Sequence, residues 1–197
     1  MPDNGLPELA LVGRSNVGKS SVINALVRAP LARTSAMPGK TRLLNVYHVV
    51  RGGASPLQLV DLPGYGYARG GQASVLAFEA LTREYFEGHG RAAQVSALLM
   101  VDARHPGLAS DRGAWAWLRP TVEGGVGVVA TKIDKLARGE RIRAMRELES
   151  VLEHPVLPVS AVTGEGLDEL WKLIDRLANR RPRQQQPNPA EPALRRR

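Results

Sequence analysis

Cysteine is absent from this 197-residue chain. That excludes disulfides, thiolate nucleophiles and zinc–cysteine centres, and it fits a reducing compartment. Histidine is scarce: His48, His89, His105 and His154 stand far apart, with no ligand spacing among them. No apolar run approaches the ~20 residues that a membrane span requires, and no charged-then-apolar leader opens the sequence. The expectation is a cytoplasmic protein that does not engage a membrane. What is present, at 43% hydrophobic residues, is enough to build the core of one ordinary domain.

The net charge is +8, and five of those units fall in residues 180–197, where six arginines face one glutamate. That tail is rich in proline, carries Gln184-Gln185-Gln186 and has little to bury, so it reads as disordered. Residues 1–7 read as a disordered lead-in and residues 8–179 as the folded domain. An arginine-rich end attracts RNA or another polyanion through counterion release. A tail that merely aids solubility explains the same composition equally well.

Within the folded part, apolar runs alternate with amphipathic ones. Strands are predicted at Glu8–Val12, Leu43–Val50, Leu57–Asp61, Val95–Val101, Val126–Ala130 and Val156–Val159. Helices are predicted from Lys19 to about Val27, from about Ser74 to Glu87, and over Glu140–Leu152, with Ile142, Met145, Leu148 and Leu152 facing inward. A short helix that Ser110 can cap should carry Ala114, Trp117 and Leu118 on one side, and a last helix carries Leu167, Leu170, Trp171, Ile174 and Leu177. The turn Arg51–Ser55 is too short for a crossover and makes the second and third strands a hairpin. The fold class is therefore α/β: a three-layer P-loop NTPase fold like that of the small GTPases, with a mostly parallel six-stranded sheet, one antiparallel strand in the hairpin, and helices on both faces. In such sheets ligands sit at the carboxyl ends of the strands, and five motifs fall there.

The first is Gly13-Arg14-Ser15-Asn16-Val17-Gly18-Lys19-Ser20, a strand–loop–helix with the P-loop spacing G-x-x-x-x-G-K-S. Gly13 and Gly18 allow backbone angles that a side chain would resist, so N–H groups can turn around an anion. The helix behind them adds its free N–H groups and its positive end. Lys19 supplies a charge for the β- and γ-phosphates and Ser20 a hydroxyl for Mg²⁺. After the third strand comes Asp61-Leu62-Pro63-Gly64: Asp61 suits holding Mg²⁺ through water, and Gly64 can bring its N–H to a γ-phosphate.

After the fifth strand comes Thr131-Lys132-Ile133-Asp134. Guanine presents two parallel donors that a single carboxylate accepts, whereas adenine presents an acceptor at the same place, so Asp134 is the guanine reader. The stem of Lys132 can lie along the base, and Thr131 can bond back to the P-loop. After the sixth strand, Val159-Ser160-Ala161 lets the Ala161 N–H approach the guanine carbonyl. The last motif lies in the long stretch between residues 28 and 42: Gly39-Lys40-Thr41-Arg42-Leu43, in which Thr41 would complete a Mg²⁺ shell while a γ-phosphate is present and release it afterwards. Each motif alone has a bland reading as a polar turn. Five in order at strand ends indicate a guanine-nucleotide switch that uses Mg²⁺, with Lys19, Thr41 and Gly64 nearest the chemistry.

The same residues resemble the translation-factor-related GTPases that include Era and the GTPase domain of MnmE. The finer motifs, Leu31 to Ser35, Asp61 to Ala68 and Val101 to Pro106, resemble the EngB family, also called YsxC or YihA, over about Glu8 to Leu177. Two features depart from its usual pattern: a short lead-in, and Lys40 and Arg42 on either side of Thr41 where Arg and Gln are commoner. The resemblance implies a GTPase linked to assembly of the large ribosomal subunit, to normal cell division and to septation. Its implied partners are GTP, GDP and a large-subunit precursor with its rRNA and ribosomal proteins, without DNA or membrane, and the expected state is a monomer.

Many GTPases carry a glutamine after D-x-x-G to orient the attacking water; this chain has Tyr65. Slow intrinsic turnover is the expectation, completed by a partner or an ion. Arg33 and Arg42 are candidate arginine fingers. In relatives such as MnmE the asparagine at the place of Asn16 holds a K⁺, which makes Asn16 a candidate K⁺ ligand as well as a plain loop residue. A switch timed by hydrolysis competes with a binding module whose GTP state recruits a division or regulatory partner. GTP-dependent, salt-sensitive co-sedimentation with large-subunit particles separates them.

Overall fold

The computed structural model describes residues 5–30, 32, 44–65, 80–86 and 95–180. Its elements run β1 (Glu8–Gly13), α1 (Lys19–Val27), β2 (Asn45–Val49), β3 (Leu57–Asp61), α2 (helical residues 80–86), β4 (Val95–Asp102), α3 (Ala109–Thr121), β5 (Val126–Thr131), α4 (Arg138–Leu152), β6 (Val156–Pro158) and α5 (Leu167–Ala178). The six strands form one sheet in the order β2-β3-β1-β4-β5-β6. Every neighbouring pair is parallel except β2 and β3, in which Asn45 stands opposite Asp61 and Val49 opposite Leu57. The hairpin and the parallel sheet expected from the sequence are both present.

β1 and β4 are buried almost throughout and mostly apolar, with Glu8, Ser96 and Asp102 as the polar exceptions, because each face of the sheet is covered. Successive side chains point to opposite faces. Ala10 and Val12 of β1 therefore join Leu99, Val101, Leu118 and Leu148 in one core, with α3 and α4. Leu9 and Leu11 join Leu98, Met100, Ile23 and Ile174 in the other, with α1 and α5. β1 lies between β3 and β4, so the connections on its two sides diverge and leave a crevice at its carboxyl end, where the P-loop sits.

The far end of the β2–β3 hairpin is tied to α5. The Arg51 guanidinium lies 3.9 Å from the centre of the Trp171 ring and also pairs with Asp175. At the amino end, residues 1–4 lie outside the described residues, while the Pro7 carbonyl already accepts the Gln58 N–H at 2.9 Å. Of the tail, 181–197 lie outside them.

Two local expectations change. Ser110 does not cap α3; the helix starts at Ala109 after an extended Leu108, and Ser110 stands in its first turn. Ala114, Trp117 and Leu118 do pack against one core, and Asp111 and Trp115 join them as buried residues of that face. On α4 the buried residues are Ala144, Leu148 and Leu152, which rotates Ile142 out into solvent at 46% exposure.

Candidate functional site

The P-loop follows β1 directly. Gly18 has φ 111° and Asn16 φ 62°, so the loop turns through two left-handed residues before α1 begins at Lys19. Gly13 is needed for another reason than the one expected: its φ is not positive, but a Cβ there would come 2.8 Å from the Met100 carbonyl oxygen and 2.9 Å from Val17 Cγ1. Close approach of the loop to β4 is what demands glycine.

Lys19 is buried, and its ammonium donates to the Gly13 carbonyl at 3.2 Å. Burial pushes this ammonium below the ordinary lysine range, against the pull of the Asp61 carboxylate. Burial likewise pushes the Asp61 carboxyl up, opposed by Lys19 and by the Ser20 hydroxyl, which donates to Asp61 Oδ2 at 3.4 Å. Asp61 Oδ1 is buried with no hydrogen-bond partner among the described residues. An unpartnered buried carboxylate oxygen beside a serine hydroxyl is a donor set suited to a hard cation. Among the described residues no group of three acidic, histidine or cysteine side chains surrounds that point. A cation held there would take its other ligands from phosphate and water.

The segment after Asp61 leans on the P-loop. Gly64 leaves no room for a Cβ, which would stand 2.6 Å from the Ser15 nitrogen. The Ser15 hydroxyl donates to the Gly64 carbonyl at 3.3 Å, the Ser15 N–H donates to the Tyr65 carbonyl at 3.0 Å, and the Tyr65 N–H donates to the Gly13 carbonyl at 3.3 Å. Tyr65 turns away from the cradle: its ring is buried, and its hydroxyl donates to Asp111 Oδ1 at 2.9 Å. Burial and the charge of Asp111 push this phenol far up, so it stays protonated. Arg14 reaches the same carboxylate, Nε to Oδ1 at 3.3 Å.

The two loops at the other end are knit more tightly. The Thr131 hydroxyl, fully buried, donates to the Val17 carbonyl at 2.6 Å. Lys132 holds φ 60°, a strained conformation for a side-chain-bearing residue, worth ~1–2 kcal/mol. It is fixed at its far end, where Nζ donates to the Asn16 carbonyl and lies 2.9 Å from Asp102 Oδ2. The Ser160 hydroxyl donates to Asp134 Oδ1 at 2.8 Å while accepting the Val162 and Thr163 N–H groups at 3.2 and 3.1 Å. Its hydrogen-bonding capacity is full, and that of the Asp134 carboxylate is not. Burial raises the Asp134 carboxyl, but Ser160, its own N–H and Lys135 outweigh that and hold it below the usual range.

The sheet thus brings together residues 13–20, 61–64, 131–134 and 159–161. Residues 39–43, with Thr41, and the arginines Arg33 and Arg42 lie outside the described residues. Two carboxylates at this site escaped the sequence reading as site residues. Asp102 receives Arg104 and Lys132, which against the effect of burial hold its carboxyl far below the usual range. Asp111 receives Tyr65 and Arg14. Asp102 ends a strand in the same layer as Asp61 and Thr131, a position the strand-end rule could have flagged; Asp111 sits inside a helix and gave no such signal.

A family model described as 50S ribosome-binding GTPase matches residues 8–132. The probable GTP-binding protein EngB of Chlorobaculum tepidum is 43% identical over 182 residues, 89% of each chain. That of Alkaliphilus oremlandii is 39% identical over 181 residues, 89% of this chain and 84% of the relative. Among solved structures, a variant of Aquifex aeolicus Era bound to GDP.AlF4- superposes with a TM-score of 0.73 at 25% identity, over 88% of this chain and 57% of that one. A probable GTP-binding protein EngB superposes with a TM-score of 0.67 at 22% identity, over 88% of this chain and all of the other.

Proposed function

The chain belongs to the EngB family of 50S ribosome-binding GTPases, and from that premise we propose that it is a Mg²⁺-dependent GTP switch with slow hydrolysis, acting in large-subunit assembly. Contact between Gly64 and the Ser15 backbone carries the switch reading. A triphosphate entering the cradle meets the D-x-x-G segment at once, so nucleotide state is felt by the chain that follows it. Asp134, kept anionic and oriented by Ser160, supports selection of guanine. Lys132, held at its Nζ by the Asn16 carbonyl and Asp102, can lay its stem along the base, and the Ala161 N–H can approach the guanine carbonyl.

Mg²⁺ would be held by Ser20 and, through water, by Asp61, with Thr41 joining in the GTP state; when bound it offsets charge on the phosphates. Lys19 sits in the cradle with its ammonium destabilised by burial, and phosphate supplies the counter-charge it lacks. Hydrolysis needs a water placed in line with the γ-phosphorus, and the side chain next to Gly64 is committed elsewhere, to Asp111. That supports slow turnover. Asn16, at the rim of the loop, is our candidate for a K⁺ ligand, and equal hydrolysis rates in KCl and NaCl would remove that role. On the family resemblance the proposal extends to cell division and septation, and to a monomer in the cytoplasm.

The test is sedimentation of the full chain with purified large-subunit particles. A non-hydrolysable GTP analogue should retain it and GDP should not, with single-turnover hydrolysis below about 10⁻² s⁻¹ alone, the range of unaided GTPases, and faster with particles. Retention that is the same in GDP as in the analogue would overturn the switch.

A further inference from the structure

α4 carries arginines where a helix least favours them. Arg138, Arg141, Arg143 and Arg146 stand against the single Glu140 in the first nine residues of the helix. The positive end of the helix dipole reaches only the first turn, so Arg138 and Arg141 stand where a cation is unfavourable by ~0.3–1 kcal/mol each, while Arg143 and Arg146 lie beyond it. Arg141 is paired with Glu165, but among the described residues no ion pair is made by Arg138, Arg143 or Arg146, and all three are exposed. Beside them is a concavity of about 650 Å³ lined by Leu136, Arg138, Arg141, Ile142, Met145 and Arg146. Its apolar part includes Ile142, which the helix turns outward at 46% exposure.

We propose that this face of α4 binds RNA, with the arginines on phosphates and an unstacked base against Ile142 and Met145. The chemistry favours RNA over an acidic protein on two counts. α4 uses arginine at all four basic positions and no lysine, and guanidinium forks bind phosphate in two-point contacts and stack on bases. The concavity is an open surface hollow of a volume in the ~300–1,000 Å³ range of small-ligand sites, and single-stranded RNA is read by splayed bases that lie against such surfaces. The inference rests on the ribosomal reading above and gives it a docking face. It also places that face next to the base-side loops, because Leu136 closely follows Asp134, and Arg141 is bonded to Glu165 in the loop that begins at Ser160.

The experiment measures anisotropy of a fluorescein-labelled 12-nucleotide single-stranded RNA across a salt series, using the full chain and the double variant Arg138→Glu/Arg146→Glu. Both changes are on exposed positions, and the first suits the helix dipole, so the variant should fold and bind a fluorescent GTP analogue as the parent does. Expected are a ten- to hundred-fold weaker RNA affinity and a salt slope shallower by about 1.4, from two lost single-strand phosphate contacts at about 0.7 each. Ile142→Ala should weaken binding two- to ten-fold with the slope unchanged. RNA binding equal to the parent in the double variant would overturn the proposal. So would unchanged RNA binding accompanied by loss of a poly-glutamate peptide, which would mark the face as one for acidic protein. Retention of the parent on large-subunit particles is scored separately: its failure would strike the ribosomal reading, while the RNA titration still decides the face.

Discussion

The two ends of the nucleotide crevice are built on opposite plans. At the base end, Thr131, Lys132, Asp134 and Ser160 are bonded to one another or to the P-loop before any ligand arrives. At the phosphate end, burial shifts Lys19 and Asp61 towards their neutral forms, opposed by each other's charge, and among the described residues each has a single hydrogen bond, to the Gly13 carbonyl and from the Ser20 hydroxyl. Of the buried side-chain atoms left without a hydrogen bond among the described residues, Asp61 Oδ1 lies at the phosphate end, while Arg14 Nε and Asp111 Oδ2 belong to the ion pair beside Tyr65. On the proposed reading, the first end is organised in advance to select a base. The other holds unmet polar demand that phosphate and a cation would satisfy, and demand of that kind makes a site respond to its ligand.

Four substitutions would break or sharpen this contrast. Asp134→Asn presents an amide where guanine needs an acceptor; GTP affinity should fall by about 10³-fold or more while xanthosine triphosphate gains. Competition against a fluorescent GTP analogue reads both, and unaltered GTP affinity would discard Asp134 as the base reader. Lys19→Met should weaken GTP by about 10²-fold or more but leave the melting temperature of the empty protein the same or higher, since a buried, poorly paired cation stabilises little. A large loss of stability in the empty protein would contradict the unmet-demand picture.

Ser160→Ala should do the reverse. It strands the Val162 and Thr163 N–H groups and frees Asp134, costing about 1–3 kcal/mol of stability without ligand, measurable by urea denaturation. A cost no larger than that of a surface change would mean that the base end is not pre-built. The smallest effect is expected from Tyr65→Phe: about 1 kcal/mol of stability from the lost bond to Asp111, and no change in the single-turnover rate. A ten-fold slower rate would show that the phenol takes part in hydrolysis after all.

The strands and the motifs after them were readable because both are written in local pattern. An apolar run bounded by glycine reads as a buried strand, and the strand-end rule says where ligands go. What could not be read is long-range pairing. Asp111 matters because Tyr65 and Arg14 converge on it from 46 and 97 residues away in sequence, and nothing near Asp111 announces them. Ile142 was misjudged for a subtler reason. It falls at helical spacing from Met145 and Leu152, but the buried stripe is set by Ala144, Leu148 and Leu152, and a small alanine on the inner face weakens the signal. Gly13 is needed for close packing against Met100 and Val17 rather than for its backbone angles, and Met100 belongs to a strand that sequence alone does not bring near.

The tie between Arg51 and α5 has a bearing on strand register. β2 is an edge strand, and of its five residues only Val49 is buried, so burial alone does little to stop it sliding along β3. A slip of two residues would carry the hairpin end about 7 Å along the strand axis, out of reach of both Trp171 and Asp175. The last helix thereby acts as an index pin for the first edge of the sheet. Asn45 is kept opposite Asp61, and the point at which the chain enters the sheet after Thr41 is set from the opposite side of the domain.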